Sequence, residues 1–113
     1  MAAKCRNTGC KLEVPQVLAE EGRCVLHYTL EVEQVCSEMR RETAPGTTPR
    51  ERQLEIIEYL RSNGELLARV ATAGLGLPDE LKARILSTFL TLINMRENLD
   101  RAVARSGGRI SVR

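Results

Sequence analysis

Cys5-x4-Cys10 and, 14 residues further on, Cys24-x2-His27 constrain this chain more than any other feature. A tetrahedral Zn²⁺ site takes four N/S ligands, at about 2.3 Å for sulfur and about 2.0–2.1 Å for nitrogen. Two short-range pairs suit it, because each pair can clasp one edge of the tetrahedron. Cys5-Arg6-Asn7-Thr8-Gly9-Cys10 reads as the turn that supplies the first pair. Gly9 permits a positive φ where the chain folds back. Gly22-Arg23-Cys24-Val25-Leu26-His27 reads as a helix start that supplies the second, where amide dipoles favour a thiolate. The first 27 residues hold three of the four cysteines and the only histidine, and few large apolar side chains. A metal would give this stretch something to fold around.

Cys36 competes with His27 for the fourth position. The two are nine residues apart, a rise of about 13–14 Å on a helix and about half a turn around its axis. Both cannot reach one ion if that helix forms. Cys36 falls on the apolar stripe and reads as a small buried hydrophobe. The expected ligands are therefore Cys5, Cys10, Cys24 and His27. The competing readings are a set with Cys36 in place of His27, and no metal at all. Spacing leaves zinc against iron open.

The length of 113 residues fits one compact domain, or a very small module joined to a helical one. Aromatic residues make up only 3%, so the core must be aliphatic. No apolar run approaches the ~18 residues needed to span a membrane. Met1-Ala2-Ala3-Lys4-Cys5 contains no apolar stretch of signal-peptide length. The expected compartment is a reducing cytoplasm, where clustered cysteines more often bind metal than pair as disulfides.

A mainly α architecture follows from the hydrophobic period. The expected domains are 1–42, a metal-bound module with its helix; 43–48, a Pro/Gly linker; 49–105, a long antiparallel helical hairpin; and 106–113, a flexible tail. In the module, Lys11-Leu12-Glu13-Val14 alternates as a short strand would, with 17–23 as its partner strand. The first helix runs from Cys24 or Val25 to Arg41, with Tyr28, Val32, Val35, Cys36 and Met39 on one face. Thr48, Pro49 and Glu51 form a capping box for the second helix. Ile56, Leu60, Leu67 and Val70 share one side of that helix, in phase through Ser62-Asn63-Gly64, which argues against a break there. The third helix starts at Pro78 and runs to about Arg105. Its middle carries Ile85, Leu86, Phe89, Leu90, Leu92 and Ile93 over an arc of roughly 160°, wider than one neighbouring helix covers. One neighbour is the second helix. The other is the first helix or a second copy of the chain.

Cys-Arg-Asn-Thr-Gly-Cys followed by Gly-Arg-Cys-Val-Leu-His-Tyr resembles a treble-clef-type zinc finger over about the first 28 residues. That resemblance implies a zinc knuckle, a short β-hairpin, and a helix giving the last two ligands. Carried over by residue, the ligands are again Cys5, Cys10, Cys24 and His27. Treble-clef fingers serve nucleic-acid binding, protein binding and nuclease chemistry alike.

An enzyme is not expected. Four ligands make a closed, structural site, whereas a catalytic zinc keeps an open position. The only histidine is among the four, so no histidine base is left. The expected role is a small non-enzymatic zinc-binding protein with a helical surface for a protein partner or for self-association through the third helix. The alternative is a nucleic-acid-binding regulatory zinc-finger protein, with Lys4, Arg6, Lys11 and Arg23 touching phosphates. The net charge of +2 from 17 basic and 15 acidic residues gives that alternative little of the basic footprint such binders carry.

Overall fold

The computed structural model describes the backbone of residues 3–112 and the side chains of residues 4–105. It is mainly helical. Two-residue strands β1 (Ala3–Lys4) and β2 (Glu13–Val14) flank the first cysteine pair, and a 3₁₀ turn covers Gln16–Leu18. Three helices follow: α1 (Val25–Thr43), α2 (Arg50–Thr72) and α3 (Asp79–Val112). No helix is long and apolar enough to cross a membrane among the described residues.

The strand pairing differs from the sequence expectation. β2 pairs antiparallel with β1, with Ala3 opposite Val14 and Lys4 opposite Glu13. Residues 17–23 do not return as a strand. After Pro15 the chain turns instead, with the Leu18 N–H donating to the Pro15 carbonyl at 2.9 Å. The physical reason is local. The Cys5–Cys10 loop is itself the connection of a narrow hairpin, and the Cys5 N–H donates to the Leu12 carbonyl at 3.0 Å. The partner of Glu13–Val14 therefore lies just before the first cysteine. The 3₁₀ turn serves the core, since Leu18 is fully buried and its turn packs on α2.

The helices pack through the stripes that the 3.6-residue period gives them. Tyr28, Val32, Cys36 and Met39 of α1 join Ile56, Leu60, Leu67 and Val70 of α2 and Ile85, Leu92 and Met95 of α3 in one buried cluster. The same cluster includes Cys5, Val14, Leu18 and Cys24, so α1 carries the core from the cysteine-rich module into the helical hairpin. α2 runs unbroken through Asn63-Gly64, as the phase of Leu60 and Leu67 requires. It ends at Thr72 with Ala73 as its C-cap, after which Gly74 and Gly76 take φ of +68° and +65° to turn the chain into α3.

Two helix ends differ from expectation. The capping box at Thr48 does not form. Pro49 is extended, with φ −57° and ψ 148°, and occupies the N-cap of α2 without a side-chain cap bond. The Thr48 hydroxyl instead donates back to the Glu42 carbonyl at 3.2 Å, closing the loop that follows α1. The third helix continues past Arg105, through Gly107-Gly108, to Val112.

The wide apolar arc of α3 is covered only in part. α2 lies along one side, and α1 reaches α3 through Glu33. The Arg84 Nε and Nη2 donate to the two Glu33 carboxylate oxygens at 2.7 and 2.8 Å, and the Thr88 hydroxyl donates to the same carboxylate at 3.2 Å. Ile85 and Leu92 are buried beneath these contacts, while Leu86 and Leu90 remain 58% and 51% exposed.

Candidate metal centre

Four side chains that the sequence places in two distant pairs converge on one point. One ligand atom from each of Cys5, Cys10, Cys24 and His27 lies within 4.8 Å of all the others. Each pair is positioned by its own local structure. Cys5 follows β1, and the chain reverses through Gly9 at φ +81°, with the Cys10 N–H donating to the Asn7 carbonyl at 3.0 Å. Cys24 is the N-cap of α1, in extended conformation, and its Sγ accepts the His27 backbone N–H at 3.5 Å. The Cys-x2-His spacing thus follows from helix-capping geometry. The cap residue and the third residue after it share a helix end.

The two halves are joined by more than the four ligands. The Arg6 N–H donates to the Gly22 carbonyl at 2.8 Å, and Gly22 takes φ +68° to present that carbonyl. Arg23 reaches across the site. Its Nε donates to the Asn7 side-chain oxygen at 3.3 Å, and its Nη1 meets Glu31 at 2.6 Å. Arg23 is therefore a bracket between the cysteine loop and α1. Sequence reasoning missed this role. The available signal was Glu31, on the wet face of α1 two turns beyond the helix start.

The distances suit a tetrahedron. Bonds of about 2.3 Å to sulfur and 2.0–2.1 Å to nitrogen give edges of about 3.75 Å between sulfurs and about 3.6 Å between sulfur and nitrogen. Cys10 Sγ and Cys24 Sγ are 3.9 Å apart. His27 Nδ1 is 3.3 Å from Cys5 Sγ and 3.3 Å from Cys24 Sγ. These separations bracket the required edges. All four cysteines are free thiols, and 3.9 Å is well beyond the about 2.05 Å of a disulfide. The ring nitrogen facing the sulfurs is Nδ1, so Nδ1 is the ligand atom His27 offers.

The electrostatics can accommodate a cation. Burial opposes ionisation of the Cys5 thiol, but backbone N–H groups at Cys24 and Asn7, helped by His27 and Cys10, bring it down to about 6. Burial pushes the Cys24 thiol up, and neighbouring Cys5 and Cys10 push it the same way against the His27 amide. One thiolate is thus accommodated by the backbone while its neighbour is suppressed. Three thiolates this close repel one another, and a dication among them reverses the sign of that interaction.

Cys36 takes no part. It is 3% exposed on the far stretch of α1 and lines a cavity of about 180 Å³ with Glu33, Ser37, Arg40, Ser87, Thr88 and Thr91. Burial pushes its thiol up to about 11. Of the four basic residues considered for phosphate contact, Lys4, Arg6 and Lys11 are exposed, whereas Arg23 is engaged by Glu31 and Asn7.

Comparison with protein-family models, curated proteins and solved structures finds no match to this chain.

Proposed function

We propose that this chain is a small non-enzymatic zinc-binding protein. Cys5, Cys10, Cys24 and His27 hold one structural Zn²⁺ in a treble-clef-type module, and the helices carry an interaction surface. The observation that carries the reading is the convergence of four ligand atoms within 4.8 Å. Three sulfurs and an imidazole fit zinc by chemistry, and four ligands complete its tetrahedron, which leaves no open position for substrate. Bound zinc would fix the cysteine loop against the start of α1, where about 27 residues otherwise share few large apolar contacts.

The interaction surface we assign is the uncovered arc of α3. Leu86 and Leu90 are exposed, with Phe89 and Ile93 half-buried beside them. A protein partner or a second copy of the chain would bury this face. Nucleic-acid binding is the second reading, supported by exposed Lys4, Arg6 and Lys11, none of which forms an ion pair among the described residues. Against it stand the commitment of Arg23 and the burial of Tyr28, the aromatic side chain next to His27, which leaves it unable to stack bases.

Elemental analysis of the purified chain, combined with thiol counting, tests the assignment. The expected result is one zinc per chain and shielding of three thiols until chelation, with the buried Cys36 thiol titrating only on unfolding. Sub-stoichiometric zinc after reconstitution, or iron in its place, would overturn it.

A further inference from the structure

We propose that Cys10 is a modification site for hydroperoxides, and that its oxidation closes a Cys10–Cys24 disulfide that dismantles the metal site. This rests on the zinc reading above. The three sulfur ligands are not equivalent. Cys5 and Cys24 are buried, at 6% and 2% exposure, while Cys10 is only partly buried. Cys24 is fixed at the N-cap of α1, where its Sγ already accepts the His27 amide. Cys10 sits on the loop that reverses at Gly9, a position around which nothing lies within 4 Å of an added Cβ. One ligand cysteine is therefore less buried than the other two and lies beside an uncrowded turn. A second, Cys24, stands 3.9 Å from it on a fixed element. Cys36 is excluded from this chemistry by burial in the α1–α3 interface.

The chemistry balances with a hydroperoxide as the two-electron oxidant. The Cys10 sulfur attacks one peroxide oxygen. An S–O bond forms, the O–O bond breaks, and hydroxide leaves from hydrogen peroxide, or alkoxide from an alkyl hydroperoxide, giving a sulfenic acid. The Cys24 thiolate then attacks the Cys10 sulfur. An S–S bond forms, the S–O bond breaks, and hydroxide leaves. Two thiolates lose two electrons in all, and the peroxide gains them. Closing the last part of the 3.9 Å gap is a movement of the Cys10 loop toward the helix start. Only Cys5 and His27 then remain as ligands, and the N-cap of α1 loses its thiolate. A thiol reductant reverses the change by exchange.

The test uses the full chain reconstituted with one zinc and exposed to hydrogen peroxide, with a chromogenic chelator reporting released zinc. Peptide mass mapping should find a Cys10–Cys24 disulfide, formed in step with one zinc released per chain. Dithiothreitol with added zinc should restore the starting state. Brief exposure with dimedone present should label Cys10 on the order of tenfold more than Cys36. The Cys36→Ser variant should release zinc at an unchanged rate. First labelling at Cys5, Cys24 or Cys36, a Cys5–Cys10 or Cys5–Cys24 bond as the main product, or zinc loss without a disulfide would each overturn the proposal. A chain that takes up no zinc before peroxide is added overturns the metal reading, and this proposal with it. Normal uptake followed by any of the other results overturns this proposal alone.

Discussion

The Tyr28 hydroxyl donates to the Asn63 side-chain oxygen at 2.7 Å, joining the first turn of α1 to the middle of α2 across 35 residues of sequence. Tyr28 is 1% exposed, and burial pushes its phenol well above its usual range, so it stays a donor at any working pH. Asn63 in turn donates to the Tyr59 carbonyl at 3.0 Å, which fixes its amide orientation. The start of α1, where the candidate ligands Cys24 and His27 sit, is thereby held to the hairpin by one directed bond as well as by apolar packing. Tyr28→Phe should cost about 1 kcal/mol, the typical net value of such a bond. Urea unfolding should show a lower midpoint with an unchanged slope. The second variant Asn63→Ala should be non-additive with the first, and additivity would show that the bond contributes nothing.

Gly64 follows Asn63, and a side chain there would be free of steric conflict. An added Cβ would meet nothing within 4 Å beyond the helix itself. The residue sits in the interior of α2 with an ordinary helical φ, so its main effect is entropic. Gly64→Ala should stabilise the chain by about 0.5–1 kcal/mol. Thermal unfolding should shift upward by a few degrees, and a downward shift would mean that the helix is locally strained at this point.

The fork between Glu33 and Arg84 gives a pH signature. Hydrogen bonding to Arg84 outweighs partial burial and holds the Glu33 carboxyl below its ordinary range. A depressed folded-state value contributes stability that is fully present above the unfolded value, about 4.3, and is lost as pH falls through the folded one. Both side chains are partly solvated, at 31% and 49% exposure, so the contribution is at most about 1 kcal/mol. Glu33→Gln should flatten the acid limb of stability at and below the ordinary carboxylate range while changing little near pH 7. A pH profile identical to wild type would show that the fork is electrostatically silent.

Much of this architecture was legible because periodicity and spacing constrain it strongly. Leu60 and Leu67 kept α2 in phase across a turn-like Asn-Gly pair, and the axial rise between His27 and Cys36 separated a member of the four-residue cluster from a core thiol. The errors arose where two local solutions competed. Thr48 had the sequence of a cap, but Pro49 took an extended conformation and the hydroxyl turned back to Glu42. Residues 17–23 looked available as a strand partner, but the cysteine loop already supplied one in Ala3–Lys4. The bracket formed by Arg23, Asn7 and Glu31 depends on tertiary placement and has no periodic signature.

The uncovered face of α3 predicts association. Leu86 and Leu90 lie four residues apart at the exposed edge of the apolar arc of α3, whose other edge holds buried Ile85 and Leu92. Leu86→Glu combined with Leu90→Glu should leave unfolding stability within about 0.5 kcal/mol, because neither side chain supports the core. The pair should abolish concentration-dependent sedimentation at tens of micromolar. A wild-type chain that sediments as a monomer throughout this range would remove self-association and leave a different partner as the only occupant of that face.

The metal should support folding unevenly along the chain. Cys10→Ser and Cys24→Ser each remove one vertex of the ligand tetrahedron, and both should lose stoichiometric zinc. Cys36→Ser should keep it, because Cys36 lies outside the ligand cluster. Structural zinc contributes much of the folding free energy of such small modules, and its ligands must be deprotonated. Zinc release should therefore follow acidification as well as chelation. Hydrogen exchange read after chelation should rise across residues 4–27, where the knuckle and the start of α1 rely on the site. Exchange in α2 and in the part of α3 that carries Ile85 and Leu92 should change far less, since neither helix supplies a residue to the Cys5, Cys10, Cys24 and His27 cluster. Uniform acceleration through both helices would instead mean that the ion governs the whole chain. Protection at residues 4–27 that survives complete zinc removal would mean that burial of Leu18, Val25 and Tyr28 suffices to hold the module closed.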